Sequence, residues 1–480
     1  MRNGCTSHWL HQLGVAGASR TPLPGDRDVD VAIVGGGFTG LWTAYWLTQN
    51  RPDLSVAVLE SRHVGYGASG RNGGWLSGKM VGLRRPLAAG PRGKDGVVDL
   101  QRACFEAIDE VLALMRRHGH DVDAVRGGYL QVARTPAELR RVHRAVAADR
   151  EWGLTEADVR LLDAEQLRER VRVRGALGAQ FSPHNATLNP AKLVTALAAI
   201  VEAAGVAIYE GTRASAISPG EVATDRGRVR ADVVLRATEG YTPGLPRGAR
   251  ELLPMNSSMI ATEPIPEERW EALGWQGREG LSGASHRYFY AQRTADNRIA
   301  LGGRGLPYRF GSRVDRDGQL DPWTIRQLRG ILEDVFGLRI SGGASGPGSS
   351  NGAAKGGSDS VRIDHAWCGV LGVPRDWTPS VRYDPGARIG AAGGYVGQGV
   401  TAAYVAGRTL ADLVTGEDSR FSQLPWANRR WRAWEPEPLR FLGAYTMYGL
   451  YQAADGIENR RRAEATSVLA RLADTISGRH

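Results

Sequence analysis

The spacing of apolar and polar residues near the N-terminus predicts a strand, a helix and a second strand. Residues 29–34 and 54–59 are short apolar runs of strand length, and residues 39–49 carry apolar side chains at helical spacing. This order of elements, with short turns between them, is typical of parallel sheets whose strands are joined by helices. The beginning of the chain therefore predicts an α/β fold.

Similar patterns predict further elements along the chain. Asn189 can cap a helix, Pro190 can occupy its first turn, and Gly205 can end it. Residues 287–292 and 298–302 flank a short polar turn and predict an antiparallel strand pair. Other helices are expected over residues 97–117, 136–152, 323–336 and from 426 onward, and other buried strands within residues 206–210, 230–244 and 388–414.

Two segments depart from this regular pattern. Residues 341–360 are rich in glycine and serine, which predicts a flexible surface insertion. Residues 419–480 form a tail that is rich in tryptophan, tyrosine and arginine and is predicted to be helical. Its Tyr445, Tyr448 and Tyr451 recur every third residue, which favours packing against the body of the protein or another subunit.

The composition changes this picture only slightly. A chain of 480 residues with 42% hydrophobic residues can form one large domain or two to three ordinary ones. The net charge of +10 comes from arginine, since only four of the 61 basic residues are lysines. Because these arginines are interleaved with acidic residues, we expect a solvated surface and no nucleic-acid partner.

The cysteines and the apolar runs indicate a compartment. Cys5, Cys104 and Cys368 are far apart and show no zinc-site spacing, so we expect a reducing compartment and no metal site. No apolar run approaches the roughly 20 residues of a membrane helix, and the first 26 residues lack the apolar core of a signal peptide. The sequence therefore predicts a cytoplasmic protein that does not bind a membrane.

The glycines after the first strand form a nucleotide-binding pattern. Gly35, Gly37 and Gly40 make G-x-G-x-x-G between a predicted strand and a predicted helix. Gly35 permits the tight turn, Gly37 lets the backbone approach a pyrophosphate, and Gly40 lets the helix pack on the strand. Glu60 ends the second strand, where an acid that binds ribose is expected, and favours FAD or NAD over NADP. This pattern does not distinguish FAD from NAD.

Two further glycine-rich segments favour FAD. The backbone of residues 67–74 can lie against a flat ring, while Ser69, Arg71 and Asn72 can bond to phosphate and ribityl oxygens. Residues 393–400 bring a second helix N-terminus, which suits the negative charge of reduced flavin near N1 and O2. The candidate cofactor-binding residues are Gly35, Gly37, Phe38, Thr39, Gly40, Glu60, Ser61, Arg62, Gly67, Ala68, Ser69, Arg71, Asn72, Gly73, Gly74, Ala237, Thr238, Gly394, Val396, Gly397, Gln398, Gly399 and Val400.

Together these motifs resemble a known family. The segments VDVAIVGGGFTGLWTAYWL, GYGASGRNGGW, NPAKLVTALAAIVEAAGVAIYEG, RTADNRIALGGRG and AGGYVGQGVTAAYVAGRTLADLV are similar to those of FAD-dependent oxidoreductases of the D-amino-acid-oxidase superfamily. Within it, the closest resemblance is to the γ-glutamylputrescine oxidase-like branch. The resemblance runs from about Val29 to Leu413, apart from residues 341–360. It is specific for the superfamily and says little about the substrate.

The resemblance implies two interleaved domains. One is a Rossmann-type FAD-binding domain, and the other is an α+β substrate domain whose antiparallel sheet lies over the flavin. The first is expected from residues 27–82, 188–245 and 362–418, and the second from residues 83–187 and 246–340.

The resemblance also implies the chemistry. Hydride leaves a carbon that bears an amine and reaches flavin N5, the imine hydrolyses to a carbonyl, and O2 or another acceptor reoxidises the flavin. The amine must be neutral because its lone pair stabilises the developing cation, and the site must exclude water. No strong acid or base is required, and the sequence shows no compelling Ser/His/Asp or paired-carboxylate arrangement.

Candidate catalytic residues come from three segments. Tyr288 and Tyr290 share one face of a predicted strand, and tyrosines on this sheet often face the substrate in the superfamily; cross-strand packing is an equal alternative. Arg375 and Trp377 belong to a loop that approaches the flavin in relatives. Gln398 lies in the C-terminal turn, where many relatives carry histidine.

Two departures from relatives affect the expected substrate and flavin attachment. Thr401 occupies a position where sarcosine oxidase-like members carry a carboxylate-binding lysine, which favours a polyamine, a primary amine or a larger amine over an N-methyl amino acid. Cys368 lies within about a residue of their tethering thiol, but its neighbours do not match. Dimethylglycine dehydrogenase-like relatives tether flavin through a histidine where this chain has Arg71 and Asn72. Noncovalent FAD is therefore expected.

Other functions stay open at this point. A flavin monooxygenase that uses NADPH would need a nicotinamide site, and no second G-x-G-x-x-G follows a strand. A 2-hydroxy-acid or polyol dehydrogenase differs only in its substrate. An RNA-modifying flavoprotein would need a basic patch with aromatics, and the only candidate, residues 426–440, also carries Glu435 and Glu437. The substrate, the electron acceptor and the oligomeric state are not fixed by the sequence.

Overall fold

Two large sheets, one mainly parallel and one mainly antiparallel, organise the chain in this computed structural model. The structure describes residues 1–305, 308–314, 317–341, 360–461 and 463–478. The insertion predicted at residues 341–360 lies outside the described residues, except for its two ends.

The predicted helices begin and end close to the expected positions, except in the tail, and further short helices were not predicted. Several helices are capped by side chains. Asn189 Oδ1 accepts hydrogen bonds from the amides of Ala191 and Lys192, and Pro190 occupies the first turn, as predicted. The helices are α1 (His8–Gln12), α2 (Phe38–Asn50), α3 (Arg84–Ala88), α4 (Gly93–Arg117), α5 (Pro136–Glu151), α6 (Ala164–Arg168), α7 (Pro190–Ala203), α8 (Glu267–Leu273), α9 (Pro322–Phe336), α10 (Gly399–Thr415), α11 (Leu439–Arg461) and α12 (Val468–Ser477).

Several strands coincide with the apolar runs that the sequence predicted, whereas other strands were not predicted. They are β1 (Arg2–Asn3), β2 (Arg27–Val34), β3 (Val56–Leu59), β4 (Trp75–Ser77), β5 (Tyr129–Ala133), β6 (Arg160–Asp163), β7 (Gly178–Ser182), β8 (Asn185–Thr187), β9 (Ala207–Tyr209), β10 (Ala214–Ser218), β11 (Glu221–Thr224), β12 (Arg228–Arg236), β13 (Leu253–Thr262), β14 (Gly280–Gly283), β15 (Phe289–Arg293), β16 (Ile299–Arg304), β17 (Arg339–Ser341), β18 (Ser360–Val373), β19 (Ser380–Asp384) and β20 (Ile389–Gly393).

The mainly parallel sheet contains the predicted strand–helix–strand unit. Its order is β10-β11-β12-β2-β3-β9, with β20 beside β12 and β19 beside β20. β2 pairs in parallel with both β12 and β3, so it lies at the centre of the sheet. The helices α2, α7 and α10 pack together against it. This arrangement confirms the predicted α/β fold and brings the carboxyl ends of several strands to one edge, where ligands bind in such sheets.

The antiparallel sheet lies next to the first and has the order β1-β18-β13-β16-β15-β14-β5-β7-β6. The predicted pair, β15 and β16, lies in its middle, with Tyr290 opposite Gly302. Most of β18 falls in the segment predicted for the cofactor domain, yet its residues 363–373 pair with the whole of β13. The chain therefore changes from one sheet to the other after Val373, and the domain boundaries stay a prediction.

The two ends of the chain pack on this framework. The N-terminal β1 pairs with β18, and α1 follows it. The tail is helical only from Leu439 onward, so the prediction of helix from residue 426 was wrong for the first 13 residues. Pro436 and Pro438 explain the difference, since proline removes an amide donor and clashes inside a helix. No helix in the described ranges is long and apolar enough to cross a membrane.

Candidate active site

The N-terminus of α2 receives side chains from two neighbouring segments. Gly37 is the N-cap and offers no side chain to the orphan amides of the first turn. The amide of Phe38 donates to Ser69 Oγ at 2.9 Å, and the amide of Gly36 donates to Glu60 Oε2 at 2.8 Å. Residues far apart in the sequence therefore meet at the turn that was predicted to bind a pyrophosphate.

The glycines of this turn lie where a side chain would not fit. A Cβ at Gly40 would lie 2.0 Å from the carbonyl oxygen of Gly35, and a Cβ at Gly37 would lie 2.9 Å from Ser69 Oγ. Gly35 also has φ +118°, a conformation that favours glycine. Backbone amides at a helix end, with no Cβ between them and the cavity, fit the pyrophosphate of a dinucleotide.

A cavity of about 610 Å³, called here the larger cavity, runs from this turn along the carboxyl edge of the parallel sheet. Its volume falls within the range of roughly 300–1,000 Å³ that is usual for ligand pockets. Many predicted cofactor residues line it, and they come from all five stretches of the chain that supplied candidates. They are Gly35, Gly37, Phe38, Thr39, Glu60, Ser61, Arg62, Gly67, Ala68, Ser69, Asn72, Ala237, Thr238, Gly397, Gly399 and Val400.

Other predicted cofactor residues lie outside the lining of the larger cavity in the described part of the chain. Arg71 is 1% exposed, and its guanidinium donates to the carbonyl of Cys368 and stacks over Tyr66 instead of entering the cavity. The other residues in this group are Gly40, Gly73, Gly74, Gly394, Val396 and Gln398.

The cofactor loop, residues 67–74, is held from behind by three side chains. Ser7 Oγ, Trp367 Nε1 and Trp9 Nε1 donate to the successive carbonyls of residues 70, 71 and 72 at 2.6, 2.9 and 2.9 Å. The side-chain Nδ2 of Asn72 closes the loop on itself by donating to the carbonyls at positions 68 and 69. The N-terminal segment thus positions the loop, a contact that no local sequence pattern indicated.

Glu60 lies at the end of β3, as the sequence predicted for a ribose-binding acid. Its carboxylate accepts hydrogen bonds from the amides of Gly36 and Arg62 and from Ser61 Oγ. Burial is the main influence on its pKa and raises it above the ordinary value. The carboxylate is therefore fixed in place at the wall of the larger cavity.

Glu239 is a residue that the sequence analysis missed. It lies three residues after the end of β12 and lines the larger cavity. Its carboxylate accepts hydrogen bonds from the amides of Gly372, Gly394 and Tyr395, and so joins β18 to the glycine-rich turn before α10. Burial raises the pKa of Glu239 from 4.5 to about 7. A charged residue shortly after a buried strand, at the sheet edge that binds ligands, was the available signal.

The turn between β20 and α10 has an unusual backbone. Val396 has φ +51°, a conformation that β-branched residues rarely adopt. Tyr395 is held by a 3.1 Å hydrogen bond between its hydroxyl and Thr39 Oγ1. Gln398 is the N-cap of α10, but its side chain makes no capping bond. Such backbone strain is often found at ligand sites, and here it turns residues 395 and 397 toward the larger cavity and residue 396 away from it.

A second cavity of about 290 Å³, called here the smaller cavity, adjoins the larger one. Leu371 lines both cavities, and Val396 lines the smaller one. The other lining residues of the smaller cavity are Met255, Asn256, Ser257, His286, Tyr288, Tyr290, Gly303, Val373, Trp377, Tyr448, Tyr451 and Asp474. The two cavities therefore meet at the C-terminal turn.

Tyr290 and Tyr288 both face the smaller cavity. The Tyr290 hydroxyl is hydrogen-bonded to Ser257 Oγ on β13 at 2.8 Å, and burial raises its pKa well above the ordinary value. A Cβ at Gly73 would lie 2.6 Å from the Tyr290 ring, so the cofactor loop packs directly on this tyrosine. Tyr288 precedes β15 and is 37% exposed. The sequence left cavity-facing and packing roles equally open, and Tyr290 combines both.

The other predicted catalytic residues occupy different environments. Trp377 lines the smaller cavity, and its Nε1 donates to the carbonyl of Ser477 at 3.0 Å. Arg375 donates to Glu435 at 2.9 Å and is not among the described lining residues of either cavity. Arg375 therefore joins the loop to the C-terminal tail, as Trp377 does.

Cys368 lies outside both cavity linings as described. Its side chain is 1% exposed and packs in the core under the antiparallel sheet, with Sγ 3.8 Å from Asn256 Oδ1. This position is that of a small buried hydrophobe.

A group of His286, Asp455 and Glu458 has the spacing of a metal site. However, Arg141 Nη1 lies 2.6 Å from Glu458 Oε2 and 3.1 Å from His286 Nε2. The guanidinium of Arg141 therefore already pairs with Glu458, and this arrangement is that of an ion pair between the body and the tail.

Comparisons with known proteins agree with this geometry. The chain matches the family described as DAO, FAD dependent oxidoreductase, over residues 30–413. It is 28% identical over 402 residues to gamma-glutamylputrescine oxidoreductase of Escherichia coli (strain K12), and the alignment covers 82% of this chain and 85% of that protein. Glycine oxidase of Geobacillus kaustophilus (strain HTA426) is 24% identical over 414 residues, covering 84% of this chain and 97% of that protein.

Solved structures show the same fold. The crystal structure of glycine oxidase from Geobacillus kaustophilus has a TM-score of 0.66 at 20% sequence identity, covering 84% of this chain and 99% of that chain. L-proline dehydrogenase from P. horikoshii has a TM-score of 0.62 at 18% identity, covering 83% and 96%. Because the family match extends over most of the chain, this protein belongs to the DAO family of FAD dependent oxidoreductases and is an FAD-dependent enzyme.

Proposed function

We propose that this enzyme oxidises an amine or amino-acid-like substrate in the smaller cavity, with FAD held in the larger cavity. The observation that carries the proposal is the junction of the two cavities at Leu371 and the turn of residues 395–397. A substrate in one cavity and a cofactor in the other would touch at this junction.

The chain's own groups would bind FAD without a covalent bond. The turn before α2 would hold the pyrophosphate, Glu60 would bind ribose hydroxyls, and the cofactor loop would lie along the ring system. The position of Cys368 in the core supports noncovalent binding. When bound, FAD supplies a two-electron acceptor for the hydride and passes the electrons on, with O2 as the proposed final acceptor.

The smaller cavity would orient the substrate and exclude water. The Tyr290 hydroxyl, which is hydrogen-bonded to Ser257, would form one hydrogen bond with the substrate nitrogen, either as donor or as acceptor. Its raised pKa keeps it neutral over the physiological range, so it would position the amine without removing a proton by itself. The aromatic rings of Tyr288 and Trp377 would pack on the substrate and keep the nitrogen lone pair unsolvated.

A titration without oxygen tests the proposal. The purified holoenzyme would be mixed in turn with diamines, primary amines, N-methyl amino acids, D- and L-amino acids, 2-hydroxy acids and NADPH while the flavin absorbance is recorded. We expect bleaching by an amine, and recovery of the colour on admission of air. Bleaching by a 2-hydroxy acid or by NADPH alone would contradict the proposal, because each assigns the electrons to a different donor.

A further inference from the structure

One wall of the smaller cavity, called here its roof, consists of residues from a part of the chain beyond the family match. That match ends at residue 413, whereas Tyr448 and Tyr451 on α11 and Asp474 on α12 line the cavity. The sequence favoured packing of the tail tyrosines against the body or against another subunit. They pack against the body, and two of them also form part of the candidate substrate site.

The tail is fixed to the body by buried polar contacts. Glu458 is 1% exposed and receives both Arg141 and His286 from the body, and these contacts lower its pKa to about 2 despite its burial. Near the end of the chain, the carbonyl of Ser477 accepts a hydrogen bond from Trp377. These contacts lie on both sides of Asp474, so the position of this carboxylate relative to the cavity is defined.

Asp474 is the feature of this roof that indicates a ligand. It is the only carboxylate among the described residues that line the smaller cavity. Its Oδ1 accepts a hydrogen bond from the Tyr451 hydroxyl at 2.6 Å, and its Oδ2 makes no hydrogen bond to any residue in the described ranges. An ionised carboxylate has about four acceptor positions, so Asp474 can receive a donor from a bound molecule.

We propose that Asp474 binds a protonated substrate nitrogen that is not the one oxidised, so that the preferred substrates carry two amines. This inference rests on the proposed function. The reacting amine must be neutral, but a carboxylate within about 4–6 Å of an ammonium raises its pKa and keeps it charged. Asp474 therefore suits a distal ammonium, while the nitrogen to be oxidised lies toward Tyr290 and the junction with the larger cavity.

Three simple probes of similar length test this inference: 1,4-diaminobutane, butylamine and 4-aminobutyrate. Their apparent dissociation constants would be measured with the holoenzyme without oxygen, from the concentration dependence of bleaching or of the change in the flavin spectrum. We expect the diamine to bind at least tenfold more tightly than butylamine, a difference of about 1.4 kcal/mol. The amino acid should bind more weakly than butylamine because its carboxylate would face Asp474.

Variants identify the group responsible. Asp474→Asn should bring the affinity for the diamine close to that for butylamine, whereas Asp474→Glu should retain the advantage of the diamine. Asp418→Asn, at an exposed carboxylate whose partner is Gln423, is the matched control and should bind as the wild type does. If Asp474→Asn is not obtained with FAD, the order of affinities in the wild type decides.

Equal binding of the diamine and butylamine, tighter binding of 4-aminobutyrate, or an unaltered order in Asp474→Asn would overturn the inference. These outcomes differ from failure of the proposed function. If an amine bleaches the flavin but the order is wrong, only the role of Asp474 fails. If the three probes bind in the expected order of affinity but no amine bleaches the flavin, the proposed oxidation fails instead.

Discussion

Replacing Gly40 by alanine tests how closely α2 must approach β2. The new Cβ would lie 2.0 Å from the carbonyl oxygen of Gly35 and 3.3 Å from Ile33 Cγ2. Ordinary contact begins near 3.4 Å, so the start of the helix must move by about 1 Å or more relative to the strand. The neighbour in closest contact is backbone and cannot rotate away. Overpacking of this kind destabilises a protein by roughly 1–3 kcal/mol.

The same movement would weaken FAD binding, because it displaces the amides that face the pyrophosphate. Losing one hydrogen bond to a charged group removes about 1.5–3 kcal/mol, which corresponds to roughly 10- to 150-fold weaker binding. Flavin fluorescence during titration of the apoprotein with FAD would measure this change, and thermal unfolding would measure the stability.

The control makes the same chemical change where there is space. Gly449 lies inside α11, is exposed, and has nothing within 4 Å of an added Cβ. Gly449→Ala should stabilise the helix by up to about 1 kcal/mol and leave FAD affinity unchanged. If Gly40→Ala binds FAD as tightly as the control does, the account of the turn is refuted.

Three further predictions concern the larger cavity. Gly37→Val should abolish FAD binding, because its side chain would fill the space next to Ser69 that the pyrophosphate needs; flavin retained on purification would contradict this. Trp9→Phe should weaken FAD binding by roughly tenfold, since a carbonyl of the cofactor loop loses its donor. Equilibrium dialysis would measure the affinity, and an unchanged value would contradict this prediction. In the apoprotein, protonated Glu239 stabilises the fold below pH 4.5, and this stabilisation is lost as the pH rises through about 7. Between pH 5 and 8 the wild type should therefore lose up to about 3 kcal/mol more stability than Glu239→Gln. Denaturant unfolding at each pH would measure this, and the same pH dependence of the free energy of unfolding in both proteins would contradict the prediction.

Local rules were sufficient for several regular elements and for the nucleotide-binding turn. Asn189 and Pro190 mark the start of α7 because capping depends on residues that are adjacent in the sequence. The glycines before α2 likewise reveal a backbone requirement that only glycine meets. Such signals involve a few neighbouring residues, so a single sequence contains them.

Contacts between distant segments could not be predicted in the same way. Arg71 lies in the cofactor loop, as a phosphate ligand would, but its side chain turns toward the carbonyl of Cys368 some 300 residues away. The roles of Trp9 and Asp474 depend on where the two ends of the chain return to the fold. The role of such a side chain depends on its orientation. That orientation is set by contacts with distant segments, which local sequence patterns do not predict.

The most direct test of the central claim is the rate of flavin bleaching without oxygen by an amine whose reacting carbon carries deuterium. The amine from the panel that bleaches the flavin fastest would be compared with its labelled form in a stopped-flow instrument. The account predicts slower bleaching with deuterium, because the bond from that carbon to hydrogen breaks when the flavin is reduced. The comparison is made at amine concentrations where flavin reduction, and not binding, limits the observed rate. Equal rates with both forms would then contradict hydride transfer from the amine carbon.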